Sequence, residues 1–316
     1  MLAYVLKRLA MTALVLLVVM TFLAALVHLI PGDPVTTILG PRADPELSKI
    51  VRDQMQLDLP VPEQIWNFIT GALHGDLGVD FVSDEDVTSL VFSALPHTIV
   101  LAVSSLVLAI GIGVPLGVYA ATHPNTWLDR VMGLISVSFI TVPSYLAGLL
   151  LVLIFSVHLH WLPAIGTGDF SDPVDYLRHL ILPAIALGLA WIGYFARLVR
   201  ASMLEVLNTN YIRTAHAFGI RERVIFYRYA LKNAIIPTIA VLGVGLGTLM
   251  GYAIFVEVIF ARPGLGTLIY DSIESRNYPV VRGGVLVVAI LFVTCNLLAD
   301  LSYRLLDPRI RAEQNL

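Results

Sequence analysis

The sequence predicts an all-α integral membrane protein with six transmembrane helices. Two observations lead there. Hydrophobic residues make up 57% of the 316 and charged residues only 14%, with a mean hydropathy of +0.82, whereas soluble domains carry about 25% charged residues. Six apolar runs are also long enough for the roughly 20 residues that a helix needs to cross a bilayer. They lie near Leu9 to Ile30, Leu95 to Ala121, Val131 to Val157, Leu177 to Ala196, Ala234 to Val256 and Gly283 to Leu301.

The first run follows Lys7 and Arg8 as a secretory signal would, but its length exceeds the 7 to 15 apolar residues of a signal core, so it reads as a retained anchor. The chain then divides into 1–30 with the first span, an outer segment at 31–94, and a core at 95–316 holding spans two to six. The outer segment opens on "PGDPV", a turn signal. In "PELSKIVRDQM", Leu47, Ile50, Val51 and Met55 recur at helical spacing, which predicts a small helical cap between the first two spans.

Orientation follows from the basic residues. The N-terminus, the 122–130 turn, the 197–233 loop and the tail after Asp300 hold 13 of the 20 Lys and Arg. The complementary loops hold 7, with 17 of the 23 carboxylates. By the positive-inside rule both termini and the 197–233 loop are expected in the cytoplasm, and 31–94 with its acidic "SDEDV" outside.

The spans carry helix-interrupting and small residues. Gly113 and Gly117 stand four apart, as do Gly243, Gly247 and Gly251, a spacing that lets neighbouring helices approach closely or line a pathway. Pro115, Pro143 and Pro183 are expected to kink their helices. No run has a central Asp, Glu, Lys or Arg, which weighs against an ion-coupled carrier. Glu257, Asp300, His28 and His158 lie near span ends and are expected at the membrane interface. The lone Cys295 has no partner for an intrachain disulfide or thiolate metal site. Metalloprotease, serine hydrolase and phosphate-loop motifs are absent, so no enzymatic chemistry and no cofactor is expected on this chain.

The exception to this apolar character is "NTNYIRTAHAFGIRERVIFYRYALKNAIIP". It carries Arg213, His216, Arg221, Arg223, Arg228 and Lys232 against one carboxylate, Glu222. Tyr211, Ala215 and Phe218 fall on one helical face, Gly219 ends the pattern as a helix-terminating glycine does, and a second helix leads straight into the fifth span. Two readings fit: a basic connector on anionic headgroups, or an apolar and aromatic knob set into a groove of a cytoplasmic partner.

"YIRTAHAFGI" followed by "YALKNAIIP" resembles the cytoplasmic coupling loop, or EAA loop, of binding-protein-dependent ABC importer permeases. That pattern is E-A-A, three residues, G, nine residues, I-x-L-P. Ala215, Gly219 and Leu231 match it, whereas Arg213, Thr214, Tyr229 and Lys232 depart from it in a way similar to the peptide/nickel branch. "HLIPGDP", "LPHTIVLA", "HLILPAIALG" and "VEVIFARPGLGTLIYDSI" extend the resemblance over nearly the whole chain.

The resemblance implies a type I ABC importer permease fold in a bacterial cytoplasmic membrane. It also implies pairing with a second homologous permease, two cytoplasmic ATPases that bind ATP and Mg, and an extracytoplasmic substrate-binding protein. No nucleic acid is implied. The expected cargo is a di- or oligopeptide, with nickel or glutathione as the alternatives within the branch and an ion-coupled secondary transporter as the alternative from another class. Arg213, Thr214, Ala215, His216, Ala217, Phe218 and Gly219 are the expected coupling residues. Gly113, Gly117, Pro143, Gly243, Gly247 and Gly251 are the expected packing or pathway residues.

Overall fold

A computed structural model describes residues 2–29, 35, 44–55, 57–169 and 171–306, and among these the only β pairing is one isolated antiparallel bridge, Val79 with Asp86. The helices are α1 (Leu2–Leu29), α2 (Pro45–Gln54), α3 (Val61–Leu73), α4 (Val87–Thr122), α5 (Trp127–Thr141), α6 (Ser144–His158), α7 (Pro173–Leu207), α8 (Asn210–Ala217), α9 (222–234), α10 (Ile236–Ile259), α11 (Leu265–Glu274) and α12 (Tyr278–Leu306). Apart from Val35, the "PGDPV" turn lies outside the described residues, as does the tail after 306.

Five helices are each long and apolar enough to cross a membrane: Leu6–Ala25 of α1, α4, α7, α10 and Tyr278–Ala299 of α12. The sixth expected span is not one helix but a pair, α5 and α6, that is long and apolar enough only when taken together. α5 and α6 meet at 106°, because Pro143 caps α6 and forces Val142 out of helical conformation to ψ 120°. α6 continues from Leu151 into a π-helical turn, Val152–His158. Pro115 and Pro183, in contrast, sit inside unbroken helices. α4 has 36 residues and α7 has 35. Each is therefore about 50 Å long, well beyond a hydrocarbon core of about 30 Å, so their ends project past it.

The chain forms two compact units, Met1–Thr98 with Arg262–Val293, and Ile99–Ala261 with Thr294–Leu316. In the first, Leu23, Leu77, Val87, Val91, Leu265 and Leu286 form a buried cluster. The Thr98 hydroxyl accepts the Leu265 N–H at 2.8 Å, satisfying a donor at the start of α11 that has no partner in its own helix. The "SDEDV" segment is a tight reverse turn with Asp84 at φ 57°. It holds Asp80 against Asn277, whose amide donates to it. Burial alone would raise the Asp80 pKa, but hydrogen bonds from the Val82 N–H, the Ser83 hydroxyl and Asn277 outweigh it and hold the carboxyl below its usual range.

The helix expected within 31–94 occurs as α2, but its apolar face is not wholly buried. Met55 packs with Val35 and Tyr278, while Ile50 is 49% exposed. The side chains of Leu47 and Val51 lie outside the described residues.

In the second unit, α7 is the central element, with α4, α5, α6 and α10 packed around it. Gly113 and Gly117 explain one of these approaches. A Cβ at Gly113 would lie 2.8 Å from the Ile192 carbonyl oxygen, and one at Gly117 would lie 2.6 Å from that of Ala196. The two helices touch backbone to backbone, as small residues in membrane helices permit.

Glu257 departs from the expectation of an interfacial position. It is fully buried near the end of α10, as is Arg262 in the loop that follows. Each is engaged by other groups of the protein, as buried charges must be. The side chains of His28 and Asp300 lie outside the described residues, and His158 is exposed with Nδ1 2.8 Å from the Leu153 carbonyl.

Candidate coupling site

The polar stretch after α7 folds into a helix, a corner and a second helix. α8 ends with Phe218 as its C-cap and Gly219 at φ 69°. The Gly219 N–H donates to the His216 carbonyl at 2.9 Å and the Ile220 N–H to the Ala215 carbonyl at 3.3 Å. These paired bonds are the Schellman arrangement, which requires a left-handed residue just past the cap. Nothing lies within 4 Å of a Cβ built at Gly219, so backbone conformation, and not crowding, calls for glycine there.

The expected docking face is divided. Ile212 and Ala215 turn inward, 0% and 5% exposed, onto a cluster with Val199, Met203, Ile225, Ala230 and Ala234. Ala215 therefore anchors α8 to the unit and is not part of the outer surface, a correction to the face drawn through Tyr211, Ala215 and Phe218. Phe218 is 79% exposed and stands free beside Gly219. Arg213, Thr214, His216 and Ala217 share that outer surface. Tyr211 is half exposed, and its hydroxyl accepts from the Asn233 amide at 2.8 Å, tying α8 to α9.

α9 is not one regular helix. It runs through a π-helical segment, Ile225–Ala230, and a turn at Ile235 precedes α10. π turns of this kind recur at functional sites, and periodicity in the sequence gives no sign of one. Since Ile225 and Ala230 are both fully buried, the extra residue per turn serves to keep α9 seated on the same cluster as α8.

A further group escaped sequence reasoning. Asp129, 6% exposed, accepts two hydrogen bonds from Arg200, from Nε at 2.6 Å and Nη2 at 2.8 Å. It also accepts the Asn125 N–H at 3.1 Å, while its own N–H donates to the capping Thr126 hydroxyl at 3.2 Å. The T-x-x-D cap is legible in "NTWLDR", but the partner 71 residues away is not. The pair clamps α5 to α7 about two turns before the end of α7. Arg200→Ala leaves a buried carboxylate short of donors and should cost about 1–2 kcal/mol, toward the low end because the guanidinium is partly solvated. The check is thermal unfolding of the purified protein, in which Asp129→Asn should do less harm than Arg200→Ala.

Of the remaining expected residues, Gly243 lies against Ala299 of α12, Gly247 is buried and Gly251 meets nothing within 4 Å. Gly245 packs on the Trp191 ring. Pro143 marks the α5–α6 break.

Residues 113–312 match the family described as binding-protein-dependent transport system inner membrane component, and residues 1–102 match the N-terminal family of such membrane components. The chain belongs to this permease family. It is an inner-membrane permease of the binding-protein-dependent ABC importer type, a transport subunit. The permease is 40% identical over 311 residues to the glutathione transport system permease protein GsiC of Escherichia coli O6:H1, covering 98% of this chain and 99% of the relative. It is also 40% identical to that of Pectobacterium atrosepticum over the same shares. Its fold is similar to that of a chain of the inward-facing MetNI methionine ABC transporter, with TM-score 0.58 and 21% identity over 69% of this chain and 96% of that one. As a member of such a system, the permease works with a partner permease, an ATPase and a binding protein.

Proposed function

We propose that this chain forms half of the translocation pathway of an ATP-driven importer of short peptides, and that it couples to a cytoplasmic ATPase through residues 213–219. In this reading both termini and the 197–233 loop are cytoplasmic. A second homologous permease completes the pathway, two ATPases on separate chains bind ATP and Mg, and an extracytoplasmic binding protein delivers the cargo. The observation that carries the proposal is Phe218, 79% exposed beside a Schellman corner, on a helix whose opposite side is anchored by Ile212 and Ala215. A projecting aromatic on an anchored helix is what docking into a partner's groove requires. ATPase closure would then move α8 and α9 together, and through them α10, as a rigid-body switch between inward- and outward-facing states.

Peptide as cargo is supported by near full-length relatives that are named glutathione permeases, since glutathione is itself a tripeptide. The test is purification of the tagged chain from its native membrane in mild detergent, with co-purifying polypeptides identified by mass spectrometry and uptake measured with labelled glutathione and dipeptides. Recovery of a second permease with ATPases, and ATP-dependent peptide uptake, is the expected result. Recovery of the chain alone, while other membrane complexes in the preparation stay intact, overturns the proposal.

A further inference from the structure

Between α5 and α7 lies an open groove of about 1050 Å³ whose two ends differ in chemistry. One end holds Arg130 and Arg197, both exposed, beside the Asp129–Arg200 pair. One carboxylate, Asp129, stands among three arginines: it is hydrogen-bonded to Arg200 and attracts Arg130 through space, and neither Arg130 nor Arg197 donates a hydrogen bond or forms a close ion pair among the described residues. The other end is apolar, walled by Leu134, Val137 and Ile140 along α5 with Tyr194 opposite.

The dimensions suit one leaflet of a bilayer. From Arg130 to Ile140 the α5 axis rises about 15 Å, half of a hydrocarbon core of about 30 Å. Trp127, 70% exposed in the first turn of α5, stands at the cationic end, where an interfacial aromatic belongs. From these features we infer that the groove holds an anionic phospholipid of the leaflet on the 197–233 side. Its phosphate lies between Arg130 and Arg197, and one acyl chain lies along Leu134, Val137 and Ile140.

Charge complementarity favours a lipid over a second protein surface. The core of a protein interface is depleted of charge, and covering this face with an apolar helix would bury Arg130 and Arg197 with no counter-charge beyond Asp129, which is already hydrogen-bonded to Arg200. A headgroup phosphate supplies the missing negative charge, and basic pockets between membrane helices bind such headgroups. The Asp129–Arg200 clamp would keep the groove's width constant while leaving the other two arginines available.

The test uses the chain in its purified complex. Native mass spectrometry follows retention of phosphatidylglycerol and, separately, of phosphatidylethanolamine with the same acyl chains, and a photoreactive phosphatidylglycerol labelled in mid-chain maps the contact. Wild type is expected to retain phosphatidylglycerol preferentially and to be labelled between residues 134 and 140. Arg130→Gln with Arg197→Gln, both on the exposed surface, should lower that retention roughly tenfold with unchanged thermal unfolding. Arg178→Gln, at the other end of α7, should leave retention as in wild type. Equal retention of the two lipids would overturn the inference, as would undiminished retention in the double variant. Displacement of the lipid by soluble glycerol phosphate would assign the arginines to a soluble anion instead. A cross-link from Val137→Cys to the second permease would make the groove a protein interface.

Discussion

Gly219→Val should lower transport roughly tenfold or more while leaving the chain inserted in the membrane. Gly219 sits at φ 69°, and the bonds that close the corner run through its own N–H and that of Ile220. A β-branched residue in that conformation is strained by about 1–3 kcal/mol. The corner is exposed and lacks packing that could over-determine it, so the strain shifts the population away from the docked geometry and uptake falls by roughly tenfold or more. Gly219→Asn is the informative companion. Asn enters the left-handed region at low cost, so this variant should keep most of its uptake. Equal loss in both variants would mean that the bare surface at residue 219 matters and not the backbone angle. The measurement is ATP-dependent uptake alongside membrane abundance of the chain.

Gly117→Leu should fail at an earlier stage, in assembly of the helical core. A Cβ at Gly117 would sit 2.6 Å from the Ala196 carbonyl oxygen and 2.8 Å from Val199 Cβ. The first of these is backbone and cannot rotate away, so α4 and α7 must separate. Overpacking of this kind costs about 1–3 kcal/mol, and more where backbone has to shift. Folded yield and melting temperature in detergent should both drop well below wild type. Gly251→Ala is the contrast from the same sequence pattern. It meets nothing within 4 Å in this chain, so melting of the isolated chain should be unchanged, and any loss seen only in the assembled transporter would place Gly251 against a partner.

That contrast shows where sequence reasoning holds and where it stops. Long charge-free runs locate membrane helices because the bilayer leaves few alternatives for the backbone, and the break at Pro143 follows from local sterics. Gly219 is legible for the same reason, since a helix followed by glycine is a local event. The rotation of α8 about its axis is not local. Ala215 turned inward because Ile212 and Ala215 together fill the cluster around Val199 and Met203, and spacing alone does not say which face meets that cluster. Likewise Asp129 declares its cap but not its partner, Arg200. Glu257 sits near a span end in the sequence yet is fully buried, together with its neighbours Ala253, Val256 and Phe260.

The central claim is that the corner after α8 receives the motion of an ATPase on another chain. The most direct measurement is site-specific cross-linking from Phe218→Cys, with Cys295→Ala removing the chain's other thiol, in native membranes with and without ATP. A cross-link to a polypeptide carrying a phosphate-loop ATPase motif, its yield changing with nucleotide, is the expected result. No such cross-link in membranes where the same variant still transports would contradict the account.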